Sequence, residues 1–416
     1  MGWGQRETAL GRQTSAHDLA SEHQATRRRP APGRLGGWAA LSLLVVLVLA
    51  GCVEQQPYST ISPQTAKADD IQWLYQILFW ASLVVFVAVQ AGIVYTILRF
   101  RRSSANRPEQ VHGNTRLEIA WTIIPAVILL VLFIPTARII FDHAAAEENA
   151  DFVIDIYGKQ WWWEIHYPEI PANPDDPESL ALVTANEVRI PQGANVLFNL
   201  QSNNVIHSFW VPQLSGKLDV MPGRQNQLQF TADTVGEYFG ECAEFCGAAH
   251  AWMRFKVLVV PPAEFDAWVE AWRAPPPVDA DPETADVVEV PAAFGVCLAC
   301  HQVNGTNAVI APQGFGTNPV PDTGNPGPNL TLLACRDFIG AGVLVNNEEN
   351  LRTWLTDTDR VKPGVYMPNY YDDGSLSDGQ VDELVAYLQT LQPEGGCPPR
   401  PPLGGDAATP EAVAQN

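Results

Sequence analysis

Two short strings carry most of the chemistry in this chain. The first is Cys242-Ala-Glu244-Phe-Cys246-Gly-Ala-Ala-His250-Ala-Trp-Met253, a C-x3-C-x3-H-x2-M pattern. Thiolate, imidazole and thioether together select copper over harder metals, and a compact loop can gather all four around one centre. Each residue has a plainer use taken singly: a disulfide, a surface histidine, a core methionine. Together at this spacing they point to a metal site. The second string is Cys297-Leu-Ala-Cys300-His301. C-x-x-C-H is the attachment motif of c-type haem, in which two thiols add to the vinyl groups and the adjacent histidine ligates iron. A zinc site would need a second ligand pair, which the block lacks. After His301 there is no further His; Met367 is the only Met and Lys362 the only Lys, so Met367 is the sixth iron ligand by elimination. His/Met ligation raises the potential into the range of a donor to copper.

Such strings need elements to hold them. The copper string lies in a block with period-two apolar runs (Phe152, Ile154, Ile156; Val196, Phe198, Leu200; Phe255, Val257, Val259) separated by Gly and Pro turns. That pattern predicts a β-sandwich over residues 150–262. The haem string opens a helical block, 292–392, where Ser377 with Gln380 forms a capping box ahead of Val381, Leu384, Val385 and Leu388 on one face. Between the blocks, residues 274–291 are acidic and Pro-rich and read as a linker, and 393–416 read as a disordered tail.

Upstream, charge is scarce. Ile71 to Leu98 has none over 28 residues and Ile119 to Ala137 none over 19. A helix needs about 20 residues to cross a bilayer, so residues 68–141 are expected to form a two-helix transmembrane hairpin. Its connecting loop carries Arg99, Arg101, Arg102, Arg107 and Arg116, which places that loop in the cytoplasm by the positive-inside rule. Residues 1–51 combine a basic region with a short apolar run ending Leu49-Ala50-Gly51, followed by Cys52. This resembles a bacterial lipoprotein signal, with Cys52 as the lipidated N-terminus. Both signals give an out-in-out topology in a bacterial plasma membrane, with both large domains extracytoplasmic.

The net charge of −21 argues against nucleic acid as a partner. Residues 142–416 hold 12 Lys and Arg against 38 Asp and Glu, so the acidity lies on the expected outer face, where it serves solubility or attracts a basic protein. With five of the seven cysteines assigned, Cys335 and Cys397 remain, and an exported leftover pair points to a disulfide.

Over about residues 68–392 the chain resembles subunit II of the haem-copper cytochrome c oxidases, whose membrane hairpin precedes a cupredoxin domain, here followed by an all-α cytochrome c domain. The resemblance implies a dinuclear copper centre, CuA. Cys242 and Cys246 would bridge the coppers, with His207 (in Val-Ile-His207-Ser-Phe-Trp) and His250 as terminal ligands. Met253 and the Glu244 carbonyl would be weak axial ones. Phe245, Trp252 and Phe255 would form a buried shell. The Glu244 side chain, with Asp219 nearby, would reach a magnesium ion at the subunit I interface. In Lys159-Gln160-Trp161-Trp162-Trp163 the first tryptophan, Trp161, would be where electrons enter the copper centre. Met367-Pro368 and Gly327-Pro328-Asn329-Leu330 resemble the haem-flanking segments of cytochrome c domains. One departure is Asn204, where many members carry an acid three residues before the first histidine, which weakens direct docking of a basic cytochrome there.

The function so implied is electron relay from an external donor, such as a cytochrome c or a quinol-oxidising complex, through haem and CuA to subunit I. There, beside subunit III, oxygen is reduced and protons are pumped. Two rivals keep parts of this reading: delivery to a nitric oxide reductase of the same superfamily, and a copper-handling membrane lipoprotein. A nitrous oxide reductase would need far more than the 8 histidines present, and quinol oxidase subunits II lack the copper ligands.

Overall fold

The computed structural model describes residues 58–100, 112–144, 149–171, 173–175, 181–274, 290–303, 327–393 and 395–402. Cys52 and the signal segment, most of the linker and the chain beyond 402 lie outside the described residues.

Two helices open the structure, α1 (Ala66–Arg99) and α2 (Thr115–Ala144). Both are apolar all round and long enough to cross a membrane. Thr65 caps α1 by accepting from Ala68 N, while its hydroxyl donates to Leu214 O; next to it Gln64 N donates to Gln213 O at 2.8 Å. At the end of α2, His143 lies 3.2 Å from Asp70 of α1. These bonds put the start of α1 and the end of α2 on the side of the β-domain, so the end of α1 with Arg99 and the start of α2 with Arg116 lie at the opposite end of the hairpin.

Ten strands follow: β1 (Phe152–Lys159), β2 (Trp162–Pro171), β3 (Ala181–Ala185), β4 (Glu187–Pro191), β5 (Asn195–Ser202), β6 (His207–Trp210), β7 (Leu218–Val220), β8 (Asn226–Thr231), β9 (Gly236–Cys242) and β10 (Arg254–Val260). They form two five-stranded sheets, β3-β2-β1-β5-β8 and β4-β10-β9-β6-β7, packed as a sandwich. The apolar runs supply the inner faces: Ile154, Ile156, Phe198, Leu200, Val257 and Val259 are all fully buried. Helix α3 (Pro262–Arg273) then buries Phe265, Trp268, Val269 and Trp272, a spacing that puts them on one face. Its Phe265 meets Phe152 at 5.4 Å and its Trp268 meets Tyr167 at 5.2 Å. Its apolar residues recur at three- and four-residue spacing, a helical signal that lies outside both predicted blocks.

The C-terminal domain has a 3-10 turn (Ala292–Ala299), helices α4 (Glu348–Thr356), α5 (Thr358–Val361) and α6 (Asp378–Gln389), and a two-residue ladder, β11 (Phe338–Ile339) with β12 (Leu344–Val345). The Ser377/Gln380 capping box starts α6, and the predicted face, Val381, Leu384, Val385 and Leu388, is buried.

The outer face of the second sheet is covered too, which is why β10 is buried almost throughout rather than alternately. Arg254 N donates to Ala341 O, and Lys256 pairs with Glu237 and with Asp337, each at 2.6 Å. The helical domain is therefore seated on the sandwich. Residues 395–402, expected as the start of a disordered tail, are instead a strap across both domains. Arg400 binds Glu237 at 2.8 Å, Asp337 at 2.9 Å and Glu187 at 3.2 Å, and Glu237 N donates to Pro402 O. Cys397 is joined to Cys335 by a disulfide. Composition misled here because one arginine meeting three buried or half-buried carboxylates outweighs the low apolar content of the segment.

Burial alone would raise the Glu187 carboxyl, but Arg400 and Lys256 overcome it and bring it down to about 2 from 4.5. A depressed value means that the contribution is whole above pH 4.5 and is lost as pH falls through about 2. We expect hydrogen-exchange protection of the Glu237 amide, which donates to Pro402 O, to fall across that window, and Glu187→Gln to flatten the fall. An unaltered pH profile in Glu187→Gln would reject the assignment.

Candidate metal centres

The loop between β9 and β10 holds the first constellation. Its ends are zipped by Cys242 N donating to Met253 O at 3.0 Å, and Ala243 N ties it to Ser208 O on β6, next to His207. This turns both thiols inward. Cys242 Sγ lies 3.8 Å from Cys246 Sγ, 3.8 Å from His207 Nδ1 and 3.3 Å from the Glu244 carbonyl. Cys246 Sγ lies 3.6 Å from His250 Nδ1 and 3.9 Å from Met253 Sδ. His207, Cys242 and Cys246 are the only group of three or more His, Cys, Asp or Glu converging tightly enough to hold a metal among the described residues.

The thiols are unbridged, and the hydrogen bond between them pulls the Cys242 thiol down while holding the Cys246 thiol up. Such a pair, flanked by two imidazole nitrogens, a thioether and a carbonyl, suits soft copper ions. The aromatic shell differs from expectation. Phe255 is buried and stacks on Phe209 at 4.4 Å, and Trp163 packs on both and on His207. Phe245, however, is 75% exposed, and Trp252 is half-buried. A loop that points Cys242 and Cys246 inward turns the residues between them out. Glu244 and Asp219 are likewise exposed, and neither belongs to a converging metal-ligand group among the described residues.

The second constellation lines a cavity of about 220 Å³ that contains Cys297, Cys300, His301 and Met367 among apolar side chains such as Phe294 and Leu330. His301 Nδ1 donates to Pro328 O at 2.8 Å, which fixes the tautomer and leaves Nε2 as the ligating nitrogen. Burial lowers its pKa, keeping it neutral. A Cβ on Gly327 would fall 2.8 Å from the imidazole Cε1, so only glycine lets the chain pass there. Two thiols, a neutral imidazole and a thioether in one apolar cavity fit a covalently held haem.

Trp161 stands between the two. It lines the cavity, and its indole Nε1 donates to Cys246 O at 3.1 Å. Only 4% of it is exposed. Trp162 packs with Ala341 of the helical domain, and Trp163 is core. A Cβ on Gly247 would meet the Trp161 ring at 2.9 Å, and one on Gly364 would meet Ala248 at 2.7 Å, so glycines on both sides permit the close approach.

Two residues here carry roles that their sequence context does not announce. Lys362, weighed there only as an iron ligand, is buried and donates to Trp161 O at 2.7 Å and Gly340 O at 2.8 Å. Burial lowers its pKa to about 7. Asn204, weighed as a weakened docking residue, has its Oδ1 3.2 Å from His207 Nε2 and donates through Nδ2 to Gln160. The lone lysine and the Asn three residues before the histidine were the available signals, but neither names its partner.

Comparison with known proteins agrees with this layout. Residues 58–139 match the family described as cytochrome c oxidase subunit II, transmembrane domain; residues 152–260 match its periplasmic domain; and residues 288–392 match cytochrome c. The chain is similar to cytochrome c oxidase subunit 2 of Alkalihalophilus pseudofirmus, 34% identical over 84% of this chain and 95% of that one. It is also similar to that of Bacillus sp. (strain PS3), 35% identical over 86% and 99%. Among solved structures, the periplasmic domain of subunit II from Bradyrhizobium japonicum is 33% identical over 29% of this chain and 93% of that one, with a TM-score of 0.25.

Proposed function

The chain belongs to the cytochrome c oxidase subunit II family, and from that premise we propose that it relays electrons from an external donor to subunit I, where oxygen is reduced and protons are pumped. The subunit II periplasmic domain implies CuA, and the cytochrome c domain implies haem c. When bound, the copper pair and the haem supply the one-electron redox chemistry. Cys297 and Cys300 would hold the haem by thioether bonds, and His301 and Met367 would ligate its iron. Cys242, Cys246, His207 and His250 would hold the coppers, with Met253 and the Glu244 carbonyl at longer range. Lys362 and the strap keep the two domains together, Asn204 orients His207, and the shell of Trp163, Phe209 and Phe255 excludes water.

Topologically, the arginine-rich loop would face the cytoplasm and both domains the outside, with Cys52 acylated on that side and subunits I and III as membrane neighbours. A magnesium ion at the subunit I interface would take the exposed Glu244 and Asp219 carboxylates as its ligands from this chain. A copper-transfer role fits poorly, because metal transfer needs no haem-binding cavity beside the copper loop. The relatives' names favour an oxidase over a nitric oxide reductase.

One observation carries the relay: Trp161 lines the haem cavity and is hydrogen-bonded to the backbone of Cys246. The purified complex should contain two coppers and one covalent haem in this subunit, and rapid mixing with reduced donor should reduce haem before copper. A single copper, no covalent haem, or copper reduced first would overturn the proposal.

A further inference from the structure

The loop that carries Met367 makes more contacts with the CuA domain than docking requires. Lys362 is the docking residue, 2% exposed with two carbonyl partners. Four residues on, Tyr366 is 62% exposed and so adds little buried area, yet it is held at two points. Its ring stacks on Trp161, centroids 5.2 Å apart and planes 25° apart. Its hydroxyl donates to Gln160 Oε1 at 3.1 Å. The same Gln160 amide donates to Cys246 O at 2.8 Å and accepts from Asn204, whose Oδ1 meets His207 Nε2.

We infer that Tyr366 is the positioning residue of the interdomain electron handover. Resting on the relay reading above, it fixes the Trp161 indole and joins the loop bearing the iron ligand Met367 to the Cys246 carbonyl and to His207. The contacts form one continuous path. Met367 is the next residue in the chain, both residues line the haem cavity, and Trp161 and Gln160 each end on the carbonyl of a copper-ligating cysteine. Packed rings and short hydrogen bonds couple two centres better than the solvent that would fill the space beside Trp161 without Tyr366. The step oxidises the haem iron by one electron and reduces the copper pair by one, with no bond made or broken and no proton moved. The ring meets Trp161 while the hydroxyl meets Gln160, so for holding the indole the ring matters more than the hydroxyl.

The test uses the full chain in complex with subunit I, as wild type, Tyr366→Phe and Tyr366→Leu. Haem and copper spectra, midpoint potentials and the haem-to-copper rate after photoreduction are recorded for each. Because misplacing groups that act together costs from about tenfold to 10²-fold, Tyr366→Leu should slow the step at least about tenfold. Tyr366→Phe should stay within about threefold, since it keeps the stack. Both potentials should remain at their wild-type values, which a general loosening of either site would not allow. A wild-type rate in Tyr366→Leu, or an equal loss in both variants, would overturn the inference. Absence of either centre's spectrum in the unaltered chain would bring it down together with the relay itself, a distinguishable result.

Discussion

Cys242→Ser is expected to abolish the copper pair and bring oxygen consumption to background, while the haem still forms and is still reduced by the donor. Cys242 touches three members of the constellation: Cys246 Sγ, His207 Nδ1 and the Glu244 carbonyl all lie within 3.8 Å of its sulfur. A serine hydroxyl is hard and stays protonated, so it supplies no bridging soft anion. Folding should survive, because the side chains are close in size and the loop is held by backbone bonds from Cys242 N and Ala243 N, which the substitution leaves alone. Copper analysis, near-infrared absorption, haem bands and oxygen uptake on one preparation check each part. Retained copper with full uptake would reject the assignment.

Changing Cys297 and Cys300 to Ala together should leave the copper spectrum intact yet cut oxygen consumption with the native donor by orders of magnitude. Tethering alone gives a reason, since a linked domain meets its partner at an effective concentration of about millimolar. Seating gives a stronger one. Trp161, where electrons would reach the copper centre, is covered by the Lys362–Tyr366 loop, so a soluble donor cannot bypass the haem by docking there. Loss of haem could loosen the domain and uncover Trp161, and proteolysis of the variant checks that the strap stays in place. Full-rate turnover with the strap intact would make the haem an accessory.

The chemistry of this chain was legible because each metal motif is local. C-x3-C-x3-H-x2-M and C-x-x-C-H each sit on one loop or turn, and the two apolar spans and the period-two runs report burial within single elements. His207 needed family resemblance, since a lone histidine 35 residues from Cys242 carries no local pattern. The docking of the domains was not legible at all. Nothing in the local sequence marks Lys256, Asp337, Arg400 or Lys362 as interdomain partners, and residues 395–402 read as tail, because periodicity records which face of an element is apolar. It does not record which charged groups meet across a domain boundary. Phe245 erred in the opposite direction, an aromatic placed inside by its type and turned outside by the geometry of its neighbours.

The strap has a kinetic consequence. With the cytochrome domain fixed in place, the haem-to-copper step is unimolecular, and its rate should depend on neither protein concentration nor ionic strength. Sensitivity to salt then belongs to the encounter with the outside donor alone. There the 38 acids of residues 142–416 can draw a basic protein toward the haem domain at low salt, an attraction that fades once the Debye length falls to about 8 Å at 0.15 M. Evolution of the donor can alter the strength and speed of that encounter without disturbing the internal handover.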